Sequence, residues 1–372
     1  MTQLDQVSPG RLGDWLAQAV QLQASDLHVV SGYPPVMRVH GELRSLDCAA
    51  IDSQAAGELL LPLCPPHARD RFQTERNADF AIELTLGGKP QRFRANYFLS
   101  GQQTGACFRL IPAVIPDFSW AGFPEDLARR LVGFRNGLVL VCGVVGSGKT
   151  TSLAMLVNLL NREGGCRIIT VEEPVEYLFP KTSGSIVTQR EVGQDVNTFA
   201  DGLKYALRQD PDVILVGEIR DRQTAQMALS AAETGHLVLS TLHTRDAKGA
   251  ISRYADLFPQ GDQRDIRAQL ALSLRAVVSQ SLLPSVHPGE KRVLAMEILL
   301  NSSAIAASLR AGKIESIDNI ILTGRADGML TLDESIKQRL KAGSISRETA
   351  ERFVSPGTRL GGEVGSYSSR SA

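Results

Sequence analysis

Lys149 has the surroundings that most directly specify a chemistry. It sits in the run Gly143-Val144-Val145-Gly146-Ser147-Gly148-Lys149-Thr150-Thr151. A glycine, four residues, then Gly-Lys-Thr is the pattern of a phosphate-binding loop. The glycines let the backbone curl with no Cβ in the way. Several N–H groups can then point into one concavity, and the positive end of the following helix dipole adds to them. Lys149 would reach the outer phosphates of ATP or GTP, and the Thr150 hydroxyl would bind Mg²⁺. A chance glycine-rich turn is the competing reading. The apolar run Leu138 to Cys142 before the loop and the helical spacing of Leu153, Leu156, Val157 and Leu160 after it argue against chance.

Three carboxylates and two histidines fall where such a loop would need them. Glu172 and Glu173 close the apolar run Cys166 to Val171, and Pro174 fixes the chain just after them. Glu218 follows Val213-Ile214-Leu215-Val216-Gly217. In a doubly wound sheet, ligands sit beyond the carboxyl ends of the strands. These glutamates therefore belong on the rim that carries the loop. Glu218 is the candidate for Mg²⁺, because a strand ending in a carboxylate is the second magnesium element of such enzymes. The pair at 172 and 173 is either a site for general-base work or a solvated acidic turn. His236 and His243 bracket a fourth apolar run. His243, at its carboxyl end, is the better placed to sense a γ-phosphate.

Stepping these residues onto one rim requires strands alternating with helices, and the pattern supplies them. Strands are expected at 138–142, 166–171, 213–216 and 236–244, with helices over 150–160, 198–209 and 222–234. Further helices are expected at 262–274, 303–310, 316–324 and 332–341, and strands at 276–283 and 292–299. Upstream, Leu12, Trp15, Leu16, Ala19 and Val20 recur at helical spacing. Hairpin signals at His40-Gly41 and Gly87-Gly88, with a strand at 105–110, predict an α+β domain with an antiparallel sheet. Arg92 and Arg94 alternate on one strand and share a face, and Arg109 lies in the next. Alone they read as a solvated sheet face, and His28 and His40 as structural.

A chain of 372 residues suggests two domains. The expected division is an N-terminal domain at 1–112, a linker at 113–120 and a nucleotide domain at 121–354. The stretch 355–372, rich in Ser and Gly, reads as a disordered tail. The 40 basic and 40 acidic side chains cancel, so no nucleic acid partner is expected. Five cysteines form no C-x-x-C pair and read as small hydrophobes, neither a disulfide framework nor a zinc site. The first residues do not form a signal peptide, and no apolar run approaches the roughly 18 residues of a membrane span. The expectation is a cytosolic protein whose membrane association goes through a partner.

The boxes together resemble a known family. The phosphate loop, Thr170-Val171-Glu172-Glu173-Pro174-Val175-Glu176, Gly217-Glu218-Ile219-Arg220-Asp221 and Gly235-His236-Leu237-Val238-Leu239-Ser240-Thr241-Leu242-His243-Thr244 look like the Walker A, Asp, Walker B and His boxes of the type II/IV secretion ATPases. Ala24-Ser25-Asp26-Leu27-His28, Arg92-Phe93-Arg94-Ala95-Asn96 and Phe108-Arg109-Leu110-Ile111-Pro112 resemble that family's N-terminal domain. The resemblance is strongest to the type IV pilus retraction (twitching motility) ATPases. It implies a RecA-like P-loop ATPase core with a smaller PAS-like α+β domain. It also implies a homohexamer using ATP and Mg²⁺, at the cytoplasmic face of the inner membrane, on a pilus platform protein and beside a paralogous ATPase. Carried over by position, Glu172 resembles the catalytic base, Glu218 the Walker B glutamate at Mg²⁺, and His236 and His243 the His box. Arg94 and Arg109 resemble arginines that reach the nucleotide, from a neighbouring subunit. Two departures stand out. Glu173 replaces the usual Asp, and Ala306 stands where retraction ATPases carry the first Arg of Ala-Ile-Arg-Asn-Leu-Ile-Arg. The second keeps open an ATPase of a type II secretion or DNA-uptake system, or an accessory retraction paralogue.

Overall fold

The computed structural model describes residues 10–360 except 40, 113 and 288–290. His40, residue 113 of the expected linker and residues 361–372 of the expected tail lie outside the described residues. The chain divides into two compact units. One comprises 1–115 with 171–180 and 189–198; the other comprises 116–170, 181–188 and 199–372.

In the first unit, α1 (Gly10–Gln21) buries Leu12, Trp15, Leu16 and Ala19, the positions that recur at helical spacing. Six strands form one sheet: β1 (Asp26–Val29), β2 (Val36–Val39), β3 (Glu42–Ser45), β4 (Asn77–Leu86), β5 (Lys89–Ser100) and β6 (Gln103–Ile111), in the order β3-β2-β1-β6-β5-β4. The neighbours pair antiparallel. Alternation along β5 buries Phe93, Ala95 and Tyr97 and turns Arg92, Arg94 and Asn96 to the other face. Tyr97 is fully buried against Phe80 and Phe108, and its hydroxyl donates to Leu60 O at 2.9 Å. α2 (Ser53–Leu60) and α3 (Pro66–Glu75) contribute Ala56, Leu60, Ala68 and Phe72 to the same core.

The second sheet has seven strands: β7 (Gly137–Cys142), β8 (Arg167–Glu172), β9 (Ile186–Glu191), β10 (Val213–Val216), β11 (Leu237–Leu242), β12 (Leu274–Leu283) and β13 (Val293–Leu300). Their order is β13-β12-β7-β11-β10-β8-β9. β7 runs parallel to both β11 and β12, β10 parallel to β11, and β13 returns antiparallel to β12. Every residue of β7, β10 and β11 is buried, which explains their mostly apolar sequences; the buried Ser240 and Thr241 of β11 donate to Val216 O and Gly217 O. The terminal residues of β8 and β9, 171–172 and 189–191, count with the first unit.

Helices connect these strands. α4 (Phe118–Ala121) and α5 (Glu125–Val132) precede β7, α6 (Lys149–Glu163) follows it, and α7 (Phe199–Ala206) and α8 (Arg222–Glu233) flank β10. α9 (Ala247–Asp256) and α10 (Gln263–Ser273) lead from β11 to β12. α11 (Ser303–Ala311), α12 (Ile317–Thr323), α13 (Leu332–Lys341) and α14 (Arg347–Phe353) complete the unit. The α/β architecture with an antiparallel first sheet is the one expected. α4, α5, β9, α9 and α14 are additions to it. Among the described residues, no helix is long and apolar enough to cross a membrane.

Candidate active site

The second unit builds its rim from the carboxyl ends of β7, β10 and β11. The buried strand β7 delivers Gly143, whose φ of +144° is open only to glycine. A Cβ there would lie 2.3 Å from Ser147 Oγ and 2.5 Å from Gln280 O, so the loop closes with no room for a side chain. Gly148, at φ +90°, caps the start of α6. Gly146 also has positive φ, whereas Val144 and Val145 are exposed and contribute backbone only.

Lys149 is 8 % exposed and its ammonium donates to Gly143 O at 2.8 Å and Val144 O at 3.1 Å. Burial pulls its pKa below the ordinary lysine value, against the opposing pull of Cys142 and Glu218. The same ammonium lies 3.4 Å from His243 Nδ1. An ammonium can only donate, so Nδ1 accepts and the ring proton belongs on Nε2. That nitrogen is 3.0 Å from Glu218 Oε2. Arg220 pairs with the other oxygen, Glu218 Oε1. Lys149, His243 and Glu218 thus form one connected set, from loop to strand end to strand end.

The residues present fit a phosphate and its cation. Ser147 Oγ is buried, and no described residue hydrogen-bonds it. It stands among glycine N–H groups at the start of a 15-residue helix, where an anion is favoured. Thr150 is exposed beside it, and Thr151 is half-buried one residue further along α6. No group of three or more His, Cys, Asp or Glu that could cage a metal occurs among the described residues. Mg²⁺ binds through one or two protein groups, phosphate oxygens and water. Thr150 and Glu218 would hold it, and it would supply neutralisation of charge on the phosphates.

His236 is not part of this set. It precedes β11, about 20 Å of strand away from the carboxyl end. Its Nδ1 lies 3.0 Å from Ala231 O and 3.3 Å from Thr234 Oγ1, at the end of α8.

The other candidates belong to the first unit. Glu172 is 7 % exposed at the end of β8. The turn after it is gripped by Arg92, whose guanidinium donates to Val175 O at 2.9 Å and also to Glu176 O. Arg92 is the most deeply placed arginine of its strand, with its side chain 11 % exposed, 3.9 Å from Glu83. Arg94 lies 3.6 Å from Asp79 and 3.8 Å from Glu176. Arg109 donates to the buried Asp26 carboxylate at 2.9 Å. The sequence puts Arg92 and Arg94 on one face and Arg109 in the next strand, and the family resemblance singles out Arg94 and Arg109, but nothing in it marks Arg92. The carbonyls that make Arg92 an anchor are 83 and 84 residues away in the chain. Sequence reasoning also passed over Gln280, whose buried side chain donates to Ser152 Oγ of α6 at 2.7 Å and braces the loop from β12.

A family profile described as type II/IV secretion system protein matches residues 10–352. The chain belongs to that family. Within it, the chain is 39 % identical over 318 residues to a twitching motility protein of Neisseria gonorrhoeae, covering 86 % of this chain and 83 % of the relative. It is 38 % identical over 335 residues to the type IV pilus retraction ATPase PilT of Pseudomonas aeruginosa, covering 90 % and 95 %. A crystal structure of the pilus retraction motor PilT with bound ADP superposes with a TM-score of 0.81 at 37 % identity, covering 93 % of this chain and 97 % of that one. The family's fold is therefore the fold described above.

Proposed function

We propose that this chain is an ATPase that powers type IV pilus retraction, and hence twitching motility. The observation that carries the reading is the connected set Lys149, His243 and Glu218 at the carboxyl rim of a parallel sheet, under a glycine loop shaped for phosphates. The relatives named twitching motility protein and pilus retraction ATPase, and the ADP-bound structure, direct that chemistry to a pilus motor.

In this reading Gly143, Gly146, Ser147, Gly148, Lys149, Thr150 and Thr151 bind the nucleotide, and Thr150 and Glu218 bind Mg²⁺. Glu172 takes the proton of the attacking water, and His243 reads the γ-phosphate through its bond to Glu218. Arg94 and Arg109 supply positive charge to the phosphoryl group from a neighbouring copy in a homohexamer. The boundary near 113–120 separates the domain that carries those arginines from the domain that carries the loop. The motor works on a pilus platform protein at the inner face of the inner membrane.

Ala306, half-buried on α11, stands where the retraction branch carries Arg, and this favours a second reading as an accessory retraction ATPase working beside a paralogue. Deleting the gene tests both. Surplus surface pili without twitching is the result expected of a retraction motor. Retained twitching with reduced force would indicate the accessory role. Loss of pili would point to assembly, and normal pili and normal twitching to a secretion system.

A further inference from the structure

The turn after Glu172 leans on a strand end that carries no recognised box. β9 finishes with Gln189-Arg190-Glu191, in the same unit as Glu172. Gln189 Oε1 accepts the N–H of Phe179 at 3.1 Å. A backbone N–H can only donate, so this bond identifies the oxygen end of the amide. The NH₂ end therefore faces the other way, 2.7 Å from Tyr177 O and 3.3 Å from Glu172 Oε1. The surrounding backbone is tied down as well. Glu191 Oε2 accepts the Val175 N–H at 3.0 Å, and the Val192 N–H donates to Glu172 O at 2.9 Å. Arg92 holds Val175 O from the opposite side.

We propose that Gln189 is the positioning residue for Glu172, its amide holding the carboxylate in the orientation that receives the proton of the attacking water. The proposal rests on Glu172 being the base. Its physical content is orientational. A glutamate side chain has three rotatable bonds, and a misplaced base costs rate without costing affinity. The donor comes from an amide fixed at two other points, so it orders the carboxylate without adding freedom of its own.

The test is a double-mutant cycle on the purified full chain, read by single-turnover ATP cleavage and by affinity for a fluorescent ATP analogue. The proteins are wild type, Gln189→Leu, Gln189→Glu, Glu172→Gln and the two doubles. Gln189→Glu is isosteric and keeps the acceptor for Phe179, so it remains informative where Gln189→Leu disturbs folding. Cleavage in each Gln189 variant should fall about ten- to a hundredfold with affinity within about twofold. Added to Glu172→Gln, the same change should cost less than about twofold, because the group it positions is gone. Equal losses in both backgrounds would reduce Gln189 to a packing residue and overturn the proposal, as would wild-type cleavage in both single variants. A Glu172→Gln protein that cleaves at the wild-type rate would instead remove Glu172 as the base. That failure is visible in its own single variant, apart from any result at Gln189.

Discussion

Two positions apart on β5, Arg92 and Arg94 share a face of the sheet and almost nothing of its environment. Arg92, its side chain 11 % exposed, serves two backbone carbonyls of the turn after Glu172, whereas Arg94, 34 % exposed, makes ion pairs of 3.6 and 3.8 Å. A partly exposed pair contributes little to stability, while removing a buried donor strands the acceptors it served. Arg92→Ala should therefore destabilise the fold by about 2–4 kcal/mol and Arg94→Ala by less than about 1 kcal/mol, both read from urea midpoints. Equal losses would show that the turn is held by other means. Lys149→Ala and Glu218→Gln should each abolish most ATP hydrolysis with the melting temperature little changed, and Glu172→Gln should retain bound ATP; rapid turnover in any of them removes that residue from the chemistry. Lys149 was legible in the sequence because its neighbours in space are its neighbours in the chain. Arg92 was not, because hydrogen bonds across more than eighty residues leave no local pattern.

At the scale of elements, Glu297 shows what a strand can add to a site without touching it. It lies on β13 and accepts the N–H of Ala247, the first residue of α9, at 2.7 Å, just past the loop that carries His243. Burial pushes its carboxyl up from an ordinary 4.5 to about 7, with Asp246, Asp318 and Asp333 adding to the rise against the Ala247 hydrogen bond. The folded state then keeps a proton that the unfolded chain releases. Stability should be highest below the unfolded value of 4.5 and fall as pH rises through about 7, by about 3 kcal/mol in all. Glu297→Gln keeps an acceptor for Ala247 and has no proton to lose. Thermal melts at pH 5 and pH 8 should thus differ less for the variant than for wild type, and the variant should be the more stable protein at pH 8. An unchanged difference would mean that Glu297 ionises freely. The strands β7, β10 and β11 were plain in the sequence because full burial favours near-continuous apolar runs. β9 was not, since Ile-Val-Thr-Gln-Arg-Glu is mostly half-buried and neither alternates nor runs apolar. α9 was hidden for a related reason: a short helix with Lys248, Ser252 and Arg253 on it gives little periodic signal. His236 belongs at this scale too. Its contact with the end of α8 makes it a helix-end residue, so His236→Ala should lower the melting temperature with a smaller effect on hydrolysis than His243→Ala.

For the molecule as a whole, the question is what the arginine face of the first unit is for. Arg94 stands directly opposite Arg109, Arg109 opposite Asp26, and Asp26 opposite Arg38, so one row of charge crosses four strands. Within it Arg94 and Arg109 set like charges directly across the sheet, which repel, while Asp26 faces an arginine on either side. The repulsion is offset by Asp26, Asp79 and Glu176, while the Arg94 and Arg109 side chains stay 34 % and 56 % exposed. Such a face is suited to meet an anion, and in a ring of identical subunits one copy's row would serve the next copy's phosphate loop. Arg94→Ala with Arg109→Ala in one chain should lower hydrolysis on the order of a thousandfold, the worth of an arginine supplied to a transferring phosphoryl group. Lys149→Ala should be equally inactive. Mixed in equal amounts and allowed to exchange, the two inactive chains should regain activity. About a quarter of the sites would then pair an intact loop with a neighbour's intact arginines. A mixture as inactive as its parts, in oligomers shown by native mass spectrometry to contain both chains, would place the arginines and the loop of one site in the same subunit.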